Sequence, residues 1–434
     1  MFDKQITEYN ENILALRDFA DTIRPVLLEK KKHVDNEHGK RLKALTSKAM
    51  FNQIKTKLPQ SLDKDSEEYT KMIDYEKKID DKLMKLFNES VEVSFSEVHI
   101  DEEKHTIEMK GLTISGKGAM GLRSLEEQAE KTEKHIHLLN QNTLISLLSS
   151  VEWFFSQILH YHFSKNPESA GIGKKTLTLS DIKSLGSIED AESFLIDSKI
   201  EEILRGNFES WITSLKTELH LSMGYVDSCL DDLIEINQRR NLIIHNGGVV
   251  NSIYLNKVPK SAAKIGDKLT VDDSYLDNAI CKFHLVFILI AAELWKKLEP
   301  QNKERGTVLI EITYENLLSK RWDITEGLSY FIKNDSKMEI IDKTVSQLNY
   351  WLARKRQGHF ESIKKEFNDI DFSDKDAIFQ LGLASLRENV DDFFELLPKA
   401  IDSKSLTIDR LKEFPIFEEM RGTKKYQEFL DSQN

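Results

Sequence analysis

An arginine and a histidine five residues apart, with an asparagine between them, form the most chemically capable group in this sequence: Arg240, Asn241 and His245, within Glu235-Ile236-Asn237-Gln238-Arg239-Arg240-Asn241-Leu242-Ile243-Ile244-His245-Asn246-Gly247-Gly248. A guanidinium is always charged and presents a planar fork that grips phosphate oxygens two at a time. An imidazole beside it can accept or donate a proton near neutral pH. Together they suit phosphodiester chemistry. With RNA the substrate carries its own nucleophile, the 2′-hydroxyl, so neither a metal nor a protein nucleophile is needed.

These side chains need a helix to hold them. Leu233, Ile236 and Ile243 lie at i, i+3 and i+10, which predicts an amphipathic helix over 230–246. Gly247 and Gly248 supply its C-terminal stop. His245 then sits in the last turn, at the partial negative end of the helix dipole. Asn241 and His245 share a face as i, i+4 neighbours, while Arg240 must reach across. Arg239 is a second candidate for the phosphate contact. Glu235, Glu152 and Asn246 are candidates to orient Arg240 or His245 from behind; for the two glutamates the alternative is a solvated or ion-paired carboxylate.

The run Arg240-Asn241-Leu242-Ile243-Ile244-His245 resembles the signature of the HEPN family (higher eukaryotes and prokaryotes nucleotide-binding): an arginine, a polar residue, three variable residues, then histidine. The flanks Asn246-Gly247-Gly248 and Asn251-Ser252-Ile253-Tyr254-Leu255 are similar to bacterial members. The resemblance covers about 130–300. It implies a bundle of four to five helices in which the helix carrying Glu152 is the first and 275–298 the last. It further implies a homodimer whose two motifs face each other in one composite cleft. There, single-stranded RNA is cut without a metal or cofactor, leaving a 2′,3′-cyclic phosphate. The implied setting is bacterial toxin–antitoxin or anti-phage defence, with Arg240, Asn241 and His245 as catalytic residues. Because Asn241 directly follows it, Arg240 fits the family pattern better than Arg239. Some members are non-catalytic scaffolds that bind RNA, a nucleotide or a partner protein, which is the competing expectation.

The remainder of the chain must support this unit. Its 434 residues suggest two to four domains, and 40% hydrophobic residues permit a sizeable core. Few prolines (7) and glycines (18) favour long helices. A net charge of −12 argues against a general nucleic-acid-coating surface, though not against a small local RNA site. Two cysteines, Cys229 and Cys281, form neither a zinc knuckle nor a disulfide framework. The N-terminal residues lack an apolar signal segment, and the apolar run Phe283 to Ala292 is shorter than the roughly 20 residues of a membrane span. A cytoplasmic, membrane-free protein with RNA as substrate and a regulatory protein as candidate partner is the expectation.

Three regions are predicted. Residues 1–125 read as charged amphipathic helices with a β-hairpin at 91–115, its turn at Asp101-Glu102-Glu103-Lys104. Gly111, Gly116, Gly118 and Gly121 then suggest a flexible connection. Residues 126–300 hold the motif unit. It contains a helix at 135–165 with the stripe Leu144, Leu147, Leu148, Val151, Phe155 and Ile158, and another helix at 188–206. Asp272, Asp273 or Ser274 is its candidate cap for the last helix. Residues 301–434 read as helical hairpins, in which 348–363 and 380–396 are similar at an offset of about 33 residues, the spacing of a tetratricopeptide-like pair; an ordinary helical bundle is the alternative. The pairs His135/His137 and His160/His162 have the wrong spacing for a helical metal pair. Arg354-Lys355-Arg356, near Trp351 and Phe360, reads as a surface charge run before it reads as an RNA contact.

Overall fold

The computed structural model describes residues 2–57, 66–101, 106–171, 173 and 175–432. The fold is mainly helical. Among the described residues the one sheet is the antiparallel pair Glu92–Asp101 and Thr106–Ser115, with Val93 opposite Ile114 and Phe95 opposite Leu112. This is the hairpin expected from the alternating apolar residues; Glu102, Glu103 and Lys104 of its expected turn lie outside the described residues.

The chain divides into two compact units, Met1–Arg17 with Thr143–Asn434, and Asp18–Asn142. In the second unit, Ala44, Leu45, Ala49, Phe51, Ile79, Leu83, Phe87, Val93 and Leu122 form a small core. The expected glycine-rich connection is absent. Gly116 (φ +90°) turns the chain out of the hairpin and a 49-residue helix, Lys117–Lys165, starts at once. A Cβ on Gly118 would lie 2.1 Å from a Val91 methyl, so this glycine serves close packing rather than flexibility. The lysine-rich stretch near residue 30 behaves as a mixed-sign helix surface, with Lys31 paired to Glu133 at 3.1 Å and Lys40 to Glu37 at 2.8 Å.

In the first unit, the helix Asp273–Leu298 runs through the core. Its N-cap is Asp272, whose carboxylate accepts a hydrogen bond from the Tyr275 amide at 2.7 Å. Its length and composition would allow a membrane crossing, yet 72% of its most apolar stretch is buried inside the protein, which is how a core helix behaves. The stripe from Leu144 to Ile158 is buried against the same core. Ile188–Leu204, Phe208–Thr217 and Leu230–Asn246 complete the wall.

The expected boundaries do not coincide with these units. The division at 125/126 falls inside the helix Lys117–Lys165. The division at 300/301 separates no cores: Val308, Leu309, Ile312, Ile324, Leu328, Ile332 and Met338 pack into the same cluster as the motif region. Pro300 stops a helix without ending a hydrophobic core. The opening residues, assigned by sequence to the N-terminal region, also belong here. Phe2, Ile6, Tyr9 and Ile13 are buried in the first unit's core, with Tyr9 stacked on Phe154 at 4.2 Å. Asn10 is enclosed with them; its side-chain amide donates to Glu315 at 2.6 Å and its oxygen accepts from His284 Nε2 at 2.9 Å.

Beyond that core the chain continues as paired helices, including Ile340–Arg356, Ala377–Leu386 and Val390–Asp402, around two further clusters centred on Trp351 and Phe393. A Cβ on Gly382 would meet Leu348 at 3.0 Å, the close helix approach that its small neighbours suggest. The basic run is tied up in ion pairs: Arg354 with Glu326, Lys355 with Glu388, and Arg356 with Glu418 and Glu419. Trp351 beside it is buried and offers no stacking surface.

Candidate active site

The motif helix spans Leu230–Asn246 and ends where the glycines require. Gly247 (φ +59°) and Gly248 (φ +82°) both take left-handed backbone, and the Gly248 amide returns to the Leu242 carbonyl at 2.9 Å. This satisfies an otherwise unpaired terminal carbonyl. The chain then folds back. Val249 pairs with Lys268 in an antiparallel bridge, and Asn251 caps the short helix Ser252–Lys257 by accepting from the Tyr254 amide at 2.9 Å. Leu242, Val250, Tyr254 and Val258 make a small core under this return loop.

The two adjacent arginines have different surroundings. Arg239 Nε donates to Glu235 Oε1 at 2.8 Å, its Nη1 donates to the Thr270 carbonyl at 2.8 Å, and its guanidinium lies 4.0 Å over the Tyr275 ring. Glu235 is the hub of this network. It also accepts the Tyr254 hydroxyl at 2.8 Å and the Tyr275 hydroxyl at 2.6 Å. Burial, and then the neighbouring Glu235 charge, push both phenols above their ordinary range, so both hydroxyls remain donors. The network ties the motif helix to the return loop and to the first turn of the core helix.

Arg240 faces elsewhere. Its Nη2 lies 3.3 Å from Glu152 Oε1, on the helix Lys117–Lys165, and its Nη1 donates to Asn241 Oδ1 at 3.2 Å. Glu152 keeps 40% of its side-chain exposure and Arg240 17%, so only the carboxylate side of this pair reaches the surface. Asn241 is steadied by Asn237, 3.5 Å away. His245 is exposed in the final turn and makes no hydrogen bond among the described residues. Arg240 and His245 are thus on one helix but about 140° apart around it, and they are not joined within one chain. Asn246 donates to the Val249 carbonyl at 2.5 Å and shapes the turn.

Of the candidate supporting residues, Glu152 meets Arg240, whereas Glu235 meets Arg239. Sequence reading missed Tyr254, Tyr275 and Thr270. No spacing signal links Tyr254 and Tyr275 to Glu235, or the Thr270 carbonyl to Arg239; only the fold brings them together.

The other titratable groups offer no comparable site. His162 is buried against Ser169, and burial followed by Lys297 and His220 lowers its pKa to about 4. Cys229 and Cys281 are free and half-buried. Among the described residues there is no cluster of three His, Cys, Asp or Glu side chains able to hold a metal. Comparison of the chain with protein-family models, curated proteins and solved structures gives no match.

Proposed function

We propose that this protein is a metal-independent endoribonuclease of HEPN type, acting as a homodimer in toxin-like or anti-phage defence. The observation that carries the reading is the contrast between the arginines. Arg239 is locked into the Glu235 network, while Arg240 meets only Glu152 and Asn241, and Asn241 and the exposed His245 follow it in the order of the family motif.

In the reaction, a base removes the 2′-hydroxyl proton and the 2′-oxygen attacks the adjacent phosphorus. The bond to the 5′-oxygen breaks, and that oxygen takes up a proton, leaving a 2′,3′-cyclic phosphate. His245 serves a proton-transfer role. Arg240, drawn from Glu152 to the phosphate, stabilises charge on the phosphoryl oxygens. Pairing of two chains would supply the second histidine and bring the separated Arg240 and His245 into one cleft. Exposed isoleucines near the motif, Ile244 (43% exposed) on its helix and Ile253 and Ile265 (68% each) on the return loop, support such pairing. The C-terminal hairpins would form a tetratricopeptide-like platform for a regulatory protein.

A non-catalytic HEPN scaffold is the second reading, favoured by the Glu152 carboxylate that already occupies Arg240. Incubating the protein with mixed RNAs in EDTA, followed by end-group analysis, separates the two. Fragments with 2′,3′-cyclic ends are expected. Intact RNA bound by a stable dimer would establish the scaffold instead, and cleavage that requires Mg²⁺ would place the chemistry elsewhere.

A further inference from the structure

Within this acidic chain the return loop is locally basic. From Asn256 to Lys268 it carries Lys257, Lys260, Lys264 and Lys268 against the single acid Asp267. The four lysines are not equivalent. Lys257 pairs with Glu209 at 3.4 Å and Lys260 pairs with Asp231, anchoring the loop to the bundle. Lys264 and Lys268 are exposed, and neither ammonium has an acidic partner among the described residues. The carboxylate nearest in sequence, Asp267, instead accepts from the Lys264 backbone amide at 2.7 Å and closes the turn between them.

The position of this turn is fixed. Lys268 is bridged to Val249, with the Leu269 amide donating to the Gly248 carbonyl and the Val250 amide to the Asp267 carbonyl, at 2.9 and 2.8 Å. Between two such bonds the paired Cα atoms stand about 4.5 Å apart. Val249 in turn donates to the Asn246 carbonyl at 3.0 Å. Lys268 therefore stands beside Val249, four residues beyond His245 at the end of the motif helix, and Lys264 follows at the far end of the same turn. The Glu235–Tyr254–Tyr275 network holds both ends of the loop, so the two ammonium groups stand on a braced support.

We infer that Lys264 and Lys268 form a track for the phosphodiester backbone of single-stranded RNA, carrying the strand past His245 to the cleavage point. This rests on the ribonuclease reading. Lysine suits the role because a point charge on a flexible stem contacts phosphates without reading sequence.

The test is binding of a fluorescent, fully 2′-O-methylated oligoribonucleotide, which cannot be cleaved, across a salt series. Each single-strand phosphate contact contributes roughly 0.7 to the slope of log K against log salt. The Lys264→Ala/Lys268→Ala variant is expected to bind more weakly and to lose about 1.4 from that slope. Lys257→Ala/Lys260→Ala is the comparison and is expected to retain the slope. Sedimentation of each variant shows whether dimerisation is intact. If the unaltered chain cuts RNA but Lys264→Ala/Lys268→Ala keeps its full slope, the track is overturned and the ribonuclease reading stands. Loss of the dimer in place of a change in slope would assign these lysines to contact between copies and overturn the track. If the unaltered chain neither cuts nor binds RNA, both readings fall together.

Discussion

The two sides of the motif helix are built to different standards. On the inner side, Glu235, Arg239, Tyr254, Tyr275 and the Thr270 carbonyl satisfy one another. On the outer side, Arg240 is held by Glu152 at 3.3 Å and by Asn241 at 3.2 Å, its Nε is buried without a partner, and the His245 ring has no hydrogen bond among the described residues. Polar groups that serve structure are normally saturated. Groups left with spare bonding capacity beside a saturated network are available to a ligand. Adjacent positions of one residue type thus separate into a brace and a candidate reagent.

The comparison is tested most severely on the outer side. His245→Ala and Arg240→Ala are each expected to reduce RNA cleavage by roughly 10²–10⁴-fold, with melting curves close to the parent, because neither removes a packed apolar group. Arg240→Lys is expected to fail as well, since a point charge does not replace the fork. Cleavage rates in EDTA and circular dichroism melts on the same samples check this. Undiminished cleavage by folded His245→Ala would remove the outer side from the chemistry.

The inner side should respond in the opposite way. Glu235→Ala strands the Arg239 charge and two phenol hydroxyls, at a cost of about 3 kcal/mol. For a unit of this size that corresponds to a fall in Tm of roughly 4–5 °C. A calorimetric scan showing no change would mean that the hub does not brace the loop.

A third test asks whether buried saturation elsewhere carries its own pH signature. His284 is fully buried and donates to Asn10; burial, then the nearby Arg17 and Arg321 charges, lower its pKa to about 3 from the usual 6.5. The unfolded chain therefore binds the proton first as pH falls. Stability from this group is complete above about 6.5 and is lost progressively down to about 3. His162 acts in the same direction with its pKa of about 4. Chemical denaturation across this range should show a shallower acid loss for His284→Asn than for the parent; parallel curves would exclude His284 as a source. The smallest effect belongs to the surface. Arg356→Ala, which breaks part-exposed pairs with Glu418 and Glu419, is expected to change stability by no more than about 1 kcal/mol and cleavage not at all. A larger loss of cleavage would give the C-terminal basic run a role in RNA contact.

What the sequence made legible depended on whether the signal was local. Helix 230–246, its glycine stop and the Asp272 cap follow from neighbours a few residues apart, and all three are found. The hairpin was legible for the same reason, because alternation is a local pattern. Which arginine is tied down was legible only in part: Glu235 and Arg239 stand at the i, i+4 spacing of a helical ion pair, but the rest of the network is not local. That rest lies in Tyr254 and Tyr275, 19 and 40 residues beyond Glu235, which only the folded return loop and core helix unite. The unit boundaries were misplaced because turn residues mark where a helix ends, not where a core ends. Phe2, Ile6, Tyr9 and Ile13 did carry a helical stripe in the sequence, but nothing in it showed which core they join.

That opening segment also sets an order of assembly. Asn10 meets Glu315 and Asn316, more than 300 residues later in the chain. At about 5–20 residues per second, a ribosome takes roughly 15–60 s to produce the partners after the segment itself has been made. These residues, made long before their partners, are therefore among the last of this core to settle. A chain interrupted before residue 315 leaves this core open at both ends, even with the entire Arg240–His245 motif already synthesised. The arrangement links maturation of the site to synthesis of residues 315 and 316, so chains interrupted before them should emerge poorly folded rather than partially active.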